Sequence, residues 1–414
     1  MTRPRVVVTG FGGISPLGKD WDSVRHKLLS CTNAVQTIPA WAEVKGMRTQ
    51  VGCPAVEFDL PPERYHRKSM RSMGRVALLG VRATELALED AGLTDQSMLS
   101  SGNIGIAYGS SAGSPSAIAD IANLVINKNT AGMNANTYVR MMSHTAAVNI
   151  GVFFKIHGRI ITTSSACTSS SQGIGYAYES ILSGRQIAMV AGGSEELDPS
   201  DAAIFDTLYA TSTEYNHRPE LTPRPFDAQR EGLVLGEGGG TLILEELEHA
   251  KARGAHIHAE LVGFGTNSDG THITNPQSFQ MANCMRLALQ DAGLAPSDIG
   301  YINAHGTATD RGDSAESEAM YAVFGNNTPT STLKSYMGHT LGACGALEAW
   351  MSIKMMNEGW FAPTVNLQTP ADDCAELDYI MNSPRKIDCE FIMSNNFAFG
   401  GINTSLIFRR WTGA

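Results

Sequence analysis

Charged residues are scarce in this chain, and basic residues are the scarcer kind. Only 17% of the 414 residues are charged, with 31 Lys and Arg against 41 Asp and Glu, which gives a formal net charge of -10. A general nucleic-acid-binding protein normally carries a basic face that neutralises phosphates. We therefore predict no nucleic-acid partner, although a local basic patch is compatible with this charge.

Long hydrophobic runs are missing as well. No uncharged apolar stretch approaches 18 residues, and the β-branched run Val6–Val8 follows Met1 too closely to leave room for a signal peptide. We expect a soluble protein that does not insert into membranes. The seven cysteines contain no Cys-x-x-Cys pair and no spacing typical of secreted domains, so reduced thiols in the cytoplasm are expected.

The composition that is present indicates a compact α/β protein. Apolar residues make up 43% of the chain and there are 42 glycines, which suits a large core with many tight turns. A length of 414 residues exceeds the usual limit for one core, so we expect two domains or two fused halves. The division rests on the order of predicted elements, because no residue-level repeat is evident. The predicted halves are residues 1–255 and 256–414.

Strand-like runs alternate with amphipathic helical segments along the whole chain, which favours a sheet covered by helices. The predicted strands are Val6–Val8, Ile104–Tyr108, Arg159–Thr163, Ile187–Gly192, Gly240–Leu244, Ile257–Val262, Ile299–Ala304, Phe391–Ser394 and Thr404–Arg409. The predicted helices are Val76–Ala91, Gly173–Ile181, Gln280–Ala292, Asp313–Val323 and Cys344–Met356.

Cys167 lies in a run of small hydroxyl residues, Ser164–Ser171, between a predicted strand and a predicted helix. A sharp strand-to-helix turn projects a side chain into a pocket, and the free N–H groups of the new helix stabilise a thiolate. The alternative is an inert, buried cysteine, which is the usual state of this residue and our interpretation of the other six. The local sequence alone leaves both interpretations open.

Two histidines stand in segments that suit catalysis. His305 follows the apolar run Ile299–Ile302 and should emerge at a strand end, while His339 follows Gly338 and precedes the small residues Leu341–Ala346. Two neutral imidazoles donating to one carbonyl oxygen would stabilise an enolate, as decarboxylation of a malonyl thioester requires. For either histidine alone, a structural imidazole bonded to a carbonyl is the alternative.

Two further segments accompany the histidines. Lys334 is placed to pair with Glu348 and fix the His339 loop, with an ordinary solvated lysine as the alternative. The segment Asn395–Asn403 is predicted to be a glycine-containing loop between two strands. Because its glycines let the backbone pass close to a ligand, a main-chain N–H group of this loop could donate to an oxyanion. A tight β-turn with aromatic packing is the alternative for this second segment.

Two motifs that suggest cofactors are incomplete. Gly10–Ser15 lacks the third glycine of a dinucleotide-binding fingerprint and is followed by Pro16. His256 and His258 would share one strand face, but no third segment has metal-ligand spacing. We predict neither a metal nor any other cofactor.

Together these segments closely resemble the elongating β-ketoacyl-acyl carrier protein synthases, nearly end to end. The similarity lies in the Cys167 elbow, Asn303–Thr307, Lys334–His339 and Asn396–Gly401. The resemblance implies a thiolase-like fold, in which two similar α/β halves form a five-layered α-β-α-β-α core. Members of this family are usually dimeric. We expect a homodimer, with a heterodimer containing a related subunit as the alternative.

The resemblance also implies a reaction. Cys167 would accept an acyl chain from its carrier protein as a thioester. His305 and His339 would bind the carbonyl of malonyl-acyl carrier protein and assist loss of CO₂, and the carbanion would attack the acyl group to give a β-ketoacyl chain two carbons longer. The pathway would be fatty-acid or polyene/polyketide-type biosynthesis.

Further roles follow from the same resemblance. The main-chain N–H groups of Cys167 and Phe399 would form the oxyanion hole, and Phe399 would also gate the site. Lys334 and Glu348 would form a supporting ion pair. Further supporting residues are Thr307, Thr309 and Gly400.

The chain departs from the family pattern at several positions near these motifs. Asp310 and Arg311 replace a proline and its neighbour, and Met337 and Ile402 each replace a common threonine. Ala398 replaces a common glycine, so its added Cβ is expected to stiffen the gating loop. We expect these changes to affect substrate choice and gating rather than catalysis.

Ala112 aligns with a position that often carries a bulky side chain limiting the acyl pocket. A small residue leaves room for a longer or stiffer chain. We therefore hypothesise an unsaturated or polyene-type substrate rather than an ordinary saturated acyl chain.

The expected partner is acyl carrier protein, in its acyl and malonyl forms. Carrier proteins are acidic, so an acidic enzyme needs a local basic landing site. Arg67, Lys68 and Arg71 resemble the docking patch of the family, although Ser72 and Tyr209 fall where basic residues often occur.

Three other functions are alternatives to this reaction. A non-condensing partner subunit of the chain-length-factor type would lack the reactive cysteine, so Cys167 argues against it. A thiolase-type acyltransferase would need a second catalytic cysteine late in the chain, and Cys389 lies outside the final glycine loop. Decarboxylation of malonyl groups without condensation remains open as a side activity.

Overall fold

A computed structural model describes residues 3–413 of the chain, and fifteen strands are found there. The strands are β1 (Val6–Ile14), β2 (Gln36–Thr37), β3 (Val51–Cys53), β4 (Ile104–Gly109), β5 (Ile160–Thr163), β6 (Ala188–Glu195), β7 (Leu235–Gly236), β8 (Gly238–Glu246), β9 (Ala259–Ser268), β10 (Ile299–Asn303), β11 (Thr330–Ser331), β12 (Trp360–Phe361), β13 (Arg385–Lys386), β14 (Phe391–Ala398) and β15 (Ile402–Arg410).

Thirteen α-helices accompany these strands in the described part of the chain. They are α1 (Trp21–Leu29), α2 (Arg75–Asp90), α3 (Gln96–Leu99), α4 (Pro115–Asn127), α5 (Ala135–Met141), α6 (Thr145–Phe154), α7 (Ser169–Leu182), α8 (Pro199–Thr207), α9 (Leu247–Ala252), α10 (Ser278–Ala292), α11 (Asp310–Phe324), α12 (Lys334–Met337) and α13 (Cys344–Glu358). Short 3₁₀ turns lie at Pro39–Glu43, Ala166–Thr168, Pro219–Leu221, Pro296–Asp298 and Leu341–Ala343.

Ten strands form one hydrogen-bonded sheet in the order β11-β10-β14-β15-β9-β1-β8-β6-β4-β5. Its two halves have the same pairing pattern. In one half β5, β4 and β6 are parallel and are followed by antiparallel β8 and β1. In the other, β11, β10 and β14 are parallel and are followed by antiparallel β15 and β9. This symmetry favours a division between β8 and β9, while the boundary at residue 255 remains a prediction.

The two halves of the sheet meet at their first strands, β1 and β9, which pair antiparallel over only three residues each. Helices α2 and α6 cover one outer face and α10 and α11 cover the other. Helices α7 and α13 lie between the halves, and each contacts strands from both. The order of layers is therefore α-β-α-β-α.

Close packing between the layers depends on small residues. A Cβ added at Gly12 of β1 would lie 1.9 Å from the carbonyl oxygen of Ala83, so only glycine lets this strand approach α2 so closely. The central layer, by contrast, is filled by large side chains such as Tyr336, Trp350 and Phe361. None of the helices within residues 3–413 has both the length and the apolar character needed to cross a membrane.

Every strand and helix predicted from the sequence overlaps an observed element of the same type. The α11 prediction was wrong at its start, because the helix begins at Asp310 rather than Asp313. Helices α1, α3, α4, α5, α6, α8, α9 and α12 were not predicted. In α6 seven of the ten residues are buried, so the helix lacks the polar face on which an amphipathic pattern depends.

Candidate active site

Cys167 lies at a sharp turn between β5 and α7. The turn contains the 3₁₀ segment Ala166–Thr168, and Ala166 adopts a left-handed conformation with φ of +50°. This conformation is strained for a residue other than glycine, so it persists only where the surroundings enforce it. The main-chain N–H of Ser165 donates to Ser169 Oγ at 3.0 Å, which ties the two ends of the turn together. The strand-to-helix elbow expected from the sequence is therefore present.

The cysteine opens into a cavity of about 440 Å³ whose walls come from both halves of the chain. Its inner end is formed by Cys167, His305 and His339, all of which are buried. Its open end is lined by more exposed side chains, including Tyr209, which is 80% exposed, and Phe399, which is 38% exposed. A cavity of this size is typical of a site that binds a small molecule.

The thiol and the two imidazoles form one compact cluster. His339 Nε2 lies 2.9 Å from Cys167 Sγ, and the centroids of the two imidazole rings are 5.1 Å apart with the rings nearly perpendicular. Within residues 3–413 this Cys-His-His set is also the one group of potential metal ligands, with donor atoms within 4.8 Å of one another. Zinc binds such donors, so the expectation of no metal or cofactor stays a prediction.

Hydrogen bonds orient the ring of His339 and hold the backbone of His305. The N–H of Leu341 donates to His339 Nδ1 at 3.3 Å, so the hydrogen of the neutral ring is on Nε2 and faces Cys167 Sγ. The His305 backbone is held instead, because the N–H groups of His305 and Gly306 each donate to the Glu316 carboxylate at 2.7 Å. His305 Nδ1 is buried and has no hydrogen-bond partner among the described residues.

Both imidazoles are neutral at physiological pH. Burial lowers the pKa of His305 well below its usual range, and the Lys334 charge and His339 lower it further. Burial and then the Lys334 charge lower the pKa of His339 in the same way. Each ring is therefore available as a neutral N–H donor inside the cavity.

Lys334 and Glu348 form a fully buried ion pair, with Nζ and Oε1 separated by 2.5 Å. The second carboxylate oxygen accepts from Asn396 Nδ2 at 2.8 Å and from Asn303 Nδ2 at 3.4 Å. Burial is the largest influence on the pKa of Lys334 and by itself would lower it, but the Glu348 charge, Cys344, the hydrogen bond to Glu348 and Glu316 together raise the pKa. The pairing expected from the sequence is therefore found, and the lysine is charged.

Two main-chain N–H groups converge on the cysteine sulfur. Burial raises the pKa of the Cys167 thiol, while the N–H of Phe399, the Lys334 charge and the N–H of Cys167 itself oppose that rise. The resting residue is thus a thiol. Donors aimed at the sulfur are also placed to stabilise an oxyanion on a carbon bonded to it.

The loop predicted at Asn395–Asn403 was too long. Strand β14 continues through Ala398, which pairs with Ile402, so the turn consists of Phe399, Gly400 and Gly401 alone. Ala398 is therefore the last residue of the strand, and the stiffening effect of its Cβ on the turn stays a prediction. The Gly400 N–H donates to the Ile273 carbonyl at 2.9 Å, which ties the turn to the loop that follows β9.

Thr307 and Thr309 both line the cavity, and their hydroxyl oxygens are 2.9 Å apart. Ala112 is placed differently. It lies half-buried in the loop after β4 and does not line this cavity. The preceding residue accepts a hydrogen bond from Ser164 Oγ at 3.5 Å, so the loop lies against the elbow from another side. The pocket role of Ala112 stays a prediction.

Arg67, Lys68 and Arg71 lie in the irregular segment before α2. All three side chains are exposed, and none forms an ion pair with another residue in the described range 3–413. They are therefore free to contact a partner, and their role in carrier docking stays a prediction.

Sequence reasoning missed two buried carboxylates that shape the His305 loop. Asp313 accepts the N–H groups of Thr307 and Ala308 at 3.0 and 3.1 Å, and Glu316 accepts those of His305 and Gly306. Burial raises the pKa of Asp313 to about 7 and that of Glu316 to about 8. Their spacing of three residues on one helix, directly after a conspicuous histidine loop, was the available signal.

Comparisons with known proteins agree with this architecture. Family models for the N-terminal and C-terminal domains of beta-ketoacyl synthase match residues 3–250 and 258–368. The 3-oxoacyl-[acyl-carrier-protein] synthase 1 of Haemophilus influenzae is 37% identical over 99% of this chain and 100% of its own length. The identity extends through both halves of the chain.

Solved structures show the same fold. The crystal structure of a beta-ketoacyl synthase from Burkholderia phymatum STM815 is 55% identical, with a TM-score of 0.97 over 99% of this chain and 100% of that one. The ishigamide ketosynthase/chain length factor is 31% identical, with a TM-score of 0.91 over the same shares. The predicted thiolase-like fold is thereby confirmed.

The role of Lys334 in keeping the imidazoles neutral can be tested by pH dependence. An imidazole becomes protonated, and so loses its neutral form, as pH falls through its pKa. The low pKa values of His305 and His339 should therefore keep malonyl decarboxylation active below pH 6.5. Removing the cation in the double variant Lys334→Met/Glu348→Gln should raise both pKa values and move the acid limb of the decarboxylation rate upward by about one pH unit. The measurement is the rate of CO₂ release between pH 5 and 8.

Lys354→Met is the matched control, because Lys354 is a lysine of the same helix, α13, whose charge is not among those that shift His305 or His339. It should leave the acid limb in place. An acid limb that is identical in the double variant and the parent enzyme would contradict the assigned role.

Proposed function

The chain belongs to the β-ketoacyl synthase family, and we propose that it is an elongating acyltransferase that performs decarboxylative Claisen condensations. The observation that carries this proposal is the cluster at the inner end of the cavity. Two neutral imidazoles and two main-chain N–H groups surround the sulfur atom of the buried Cys167 thiol. The substrates are an acyl thioester and malonyl thioester, both on acyl carrier protein.

In the first half-reaction Cys167 Sγ attacks the thioester carbonyl of the acyl carrier protein. The N–H groups of Cys167 and Phe399 stabilise the oxyanion that forms, and His339 Nε2–H stabilises negative charge on the sulfur. Collapse breaks the bond to the carrier thiol, which leaves with the proton that Cys167 gives up. The acyl chain stays on Cys167.

In the second half-reaction the malonyl thioester enters the same cavity. His305 and His339 donate N–H groups to its thioester carbonyl, and cleavage of the bond to the carboxylate releases CO₂ and leaves an enolate. Neutral donors suit this step, since a protonated imidazole would give up its proton to the enolate. The enolate carbon then attacks the thioester carbonyl of the acyl chain on Cys167. This step expels the Cys167 thiolate and forms the β-ketoacyl product.

Two of the other functions, a chain-length-factor-like subunit and a thiolase-type acyltransferase, fit the site less well. A chain-length-factor-like subunit needs no thiol, whereas Cys167 is held here in a strained elbow beside two imidazoles. A thiolase-type enzyme needs a second cysteine at the substrate, and among the described residues that line the cavity Cys167 is the only one. Cys344 lies nearby, but its Sγ donates to the Cys167 carbonyl at 3.2 Å from outside the cavity.

We propose fatty-acid or polyketide-type synthesis, including polyenes, as the pathway, and the cytoplasm as its location. The named relatives comprise a 3-oxoacyl-carrier protein synthase and an ishigamide ketosynthase, and both chemistries use the same condensation. A reducing compartment suits a reaction that depends on the Cys167 thiol, and all seven cysteines are free.

A homodimer formed through β5 is the proposed assembly. Of the two strands that end the sheet, β11 is buried, whereas Ile160 of β5 is 43% exposed. Val152 on the neighbouring α6 is 72% exposed, so an apolar surface flanks the open edge. An unpaired strand edge is readily completed by the same strand of a second copy. A related subunit with the same edge would give a heterodimer instead.

The nucleophile can be identified by intact-mass analysis after incubation with a panel of saturated and polyene acyl-carrier proteins. One acyl group should be added to the wild-type protein and none to Cys167→Ser, because the hydroxyl is a far weaker nucleophile. Cys284→Ala removes a buried cysteine of α10 outside the cavity and should keep the adduct. An adduct that persists in Cys167→Ser, or no adduct from any carrier, would contradict the proposal.

Carrier docking can be tested by charge reversal. The double variant Lys68→Glu/Arg71→Glu should weaken binding of the acidic carrier about tenfold at low salt, as measured by calorimetry. Arg185→Glu reverses an exposed charge beyond the far end of α7 and serves as the control. Unchanged carrier affinity in the double variant, with circular dichroism showing an intact fold, would refute the docking assignment.

The proposed dimer edge can be tested by molar mass. Ile160→Lys should convert the dimer to a monomer in size-exclusion chromatography with light scattering, because it buries a charge at the twofold contact. Leu287→Lys, on the outer helix α10, changes a residue of similar exposure (41%) and should leave the mass unchanged. A wild-type protein that runs as a monomer would refute the assembly.

A further inference from the structure

Arg311 is the only lysine or arginine among the described residues that line the cavity. Its side chain is exposed and forms neither an ion pair nor a side-chain hydrogen bond within residues 3–413. The residue stands near the start of α11, just beyond the loop that carries His305. An unpaired guanidinium therefore faces the route by which substrates reach Cys167.

The acidic residue beside Arg311 does not neutralise it. Asp310 is engaged by Arg230, whose Nε lies 3.7 Å from the carboxylate and whose Nη2 donates to the Asp310 carbonyl at 3.1 Å. Arg230 also pairs with Asp373 at 2.6 Å. Arg311 thus takes no part in the local ion pairs.

The other carboxylates that line the cavity are also satisfied from within the protein. Glu231 accepts the N–H groups of Thr213 and Glu214 and the hydroxyl of Ser212. Asp269 accepts from Asn403 Nδ2 and the Gln277 N–H, and Glu316 accepts from the His305 loop. These carboxylates are held by neutral donors of the protein, and none of them forms an ion pair with Arg311, which is the only Lys or Arg among the described lining residues.

We propose that Arg311 binds the phosphodiester of the phosphopantetheine arm on which carrier proteins present their thioesters. The inference rests on the proposed condensation. When the thioester is at Cys167, the arm lies along the cavity and its anionic phosphate is near the open end. Guanidinium groups bind phosphate oxygens in a bidentate manner, and this contact would be shared by acyl and malonyl substrates. Arg311 thus acts as a specificity residue for phosphorylated donors.

The test compares hexanoyl-4′-phosphopantetheine with hexanoyl-pantetheine, which differ only in the phosphate. The measured quantity is the ratio of their second-order rate constants for acylation of Cys167, obtained by intact mass. The wild-type enzyme should favour the phosphorylated donor about tenfold, as expected for a charge-assisted hydrogen bond. Arg311→Ala should bring the ratio close to one, and Arg311→Lys should retain part of the preference.

Arg185→Ala is the matched control, since Arg185 is also exposed and without an ion pair in the described chain but lies at the opposite end of α7 from Cys167. It should keep the wild-type ratio. High salt should lower the wild-type ratio, because the pair is solvent-exposed. A wild-type ratio of one, or an equal ratio in wild type and Arg311→Ala, would overturn the inference.

A third donor, hexanoyl-acyl carrier protein, separates two sources of negative charge. If Arg311→Ala slows acylation by this donor alone, Arg311 contacts acidic side chains of the carrier and the phosphate assignment is wrong. If no donor acylates Cys167 in the wild-type enzyme, the proposed condensation itself fails and the inference falls with it.

Discussion

The buried ion pair between Lys334 and Glu348 is the interaction on which the site depends. Taking two charges out of water is costly, and this pair persists because the two charges are in direct contact and the carboxylate also accepts from the amides of Asn303 and Asn396. The ion pair also affects the protonation state of His305 and His339. Burial is the main reason that the pKa values of both imidazoles are low, and the lysine charge lowers them further while the carboxylate holds that charge at a fixed place.

The two-unit architecture explains how these groups meet. Cys167 comes from the turn after β5 in the first unit, whereas His305 follows β10 and Lys334 follows β11 in the second. The helices α7 and α13 share the middle layer, so the start of α7 with its cysteine faces the start of α13, just after His339. The site lies between two rigid units, and a thiol and imidazoles distant in sequence can be held within hydrogen-bonding distance.

The sequence predicted the elements that carry the chemistry, because local signals mark each of them. Small residues around Cys167 indicated the elbow, and an apolar run before His305 indicated a strand end. The residues that support these elements were less visible, since Asp313 and Glu316 act on main-chain N–H groups and only their spacing on one helix after the histidine loop pointed to that role. The tie between Gly400 and Ile273, and the unpaired state of Arg311, depend on how distant segments pack, which local patterns do not encode.

The placement of charge also bears on the decarboxylation step. A free cation beside the malonyl carboxylate would stabilise the ground state and oppose loss of CO₂, because that negative charge leaves the carboxylate in the transition state. Here Lys334 is paired with Glu348 at 2.5 Å and does not line the cavity, and the only Lys or Arg that does so among the described residues is the exposed Arg311. The inner end presents neutral donors, aimed where the enolate oxygen develops. The cation Arg311 can therefore hold the anionic phosphopantetheine arm of the substrate. The neutral groups around Cys167, in contrast, do not stabilise the malonyl carboxylate, which leaves as CO₂.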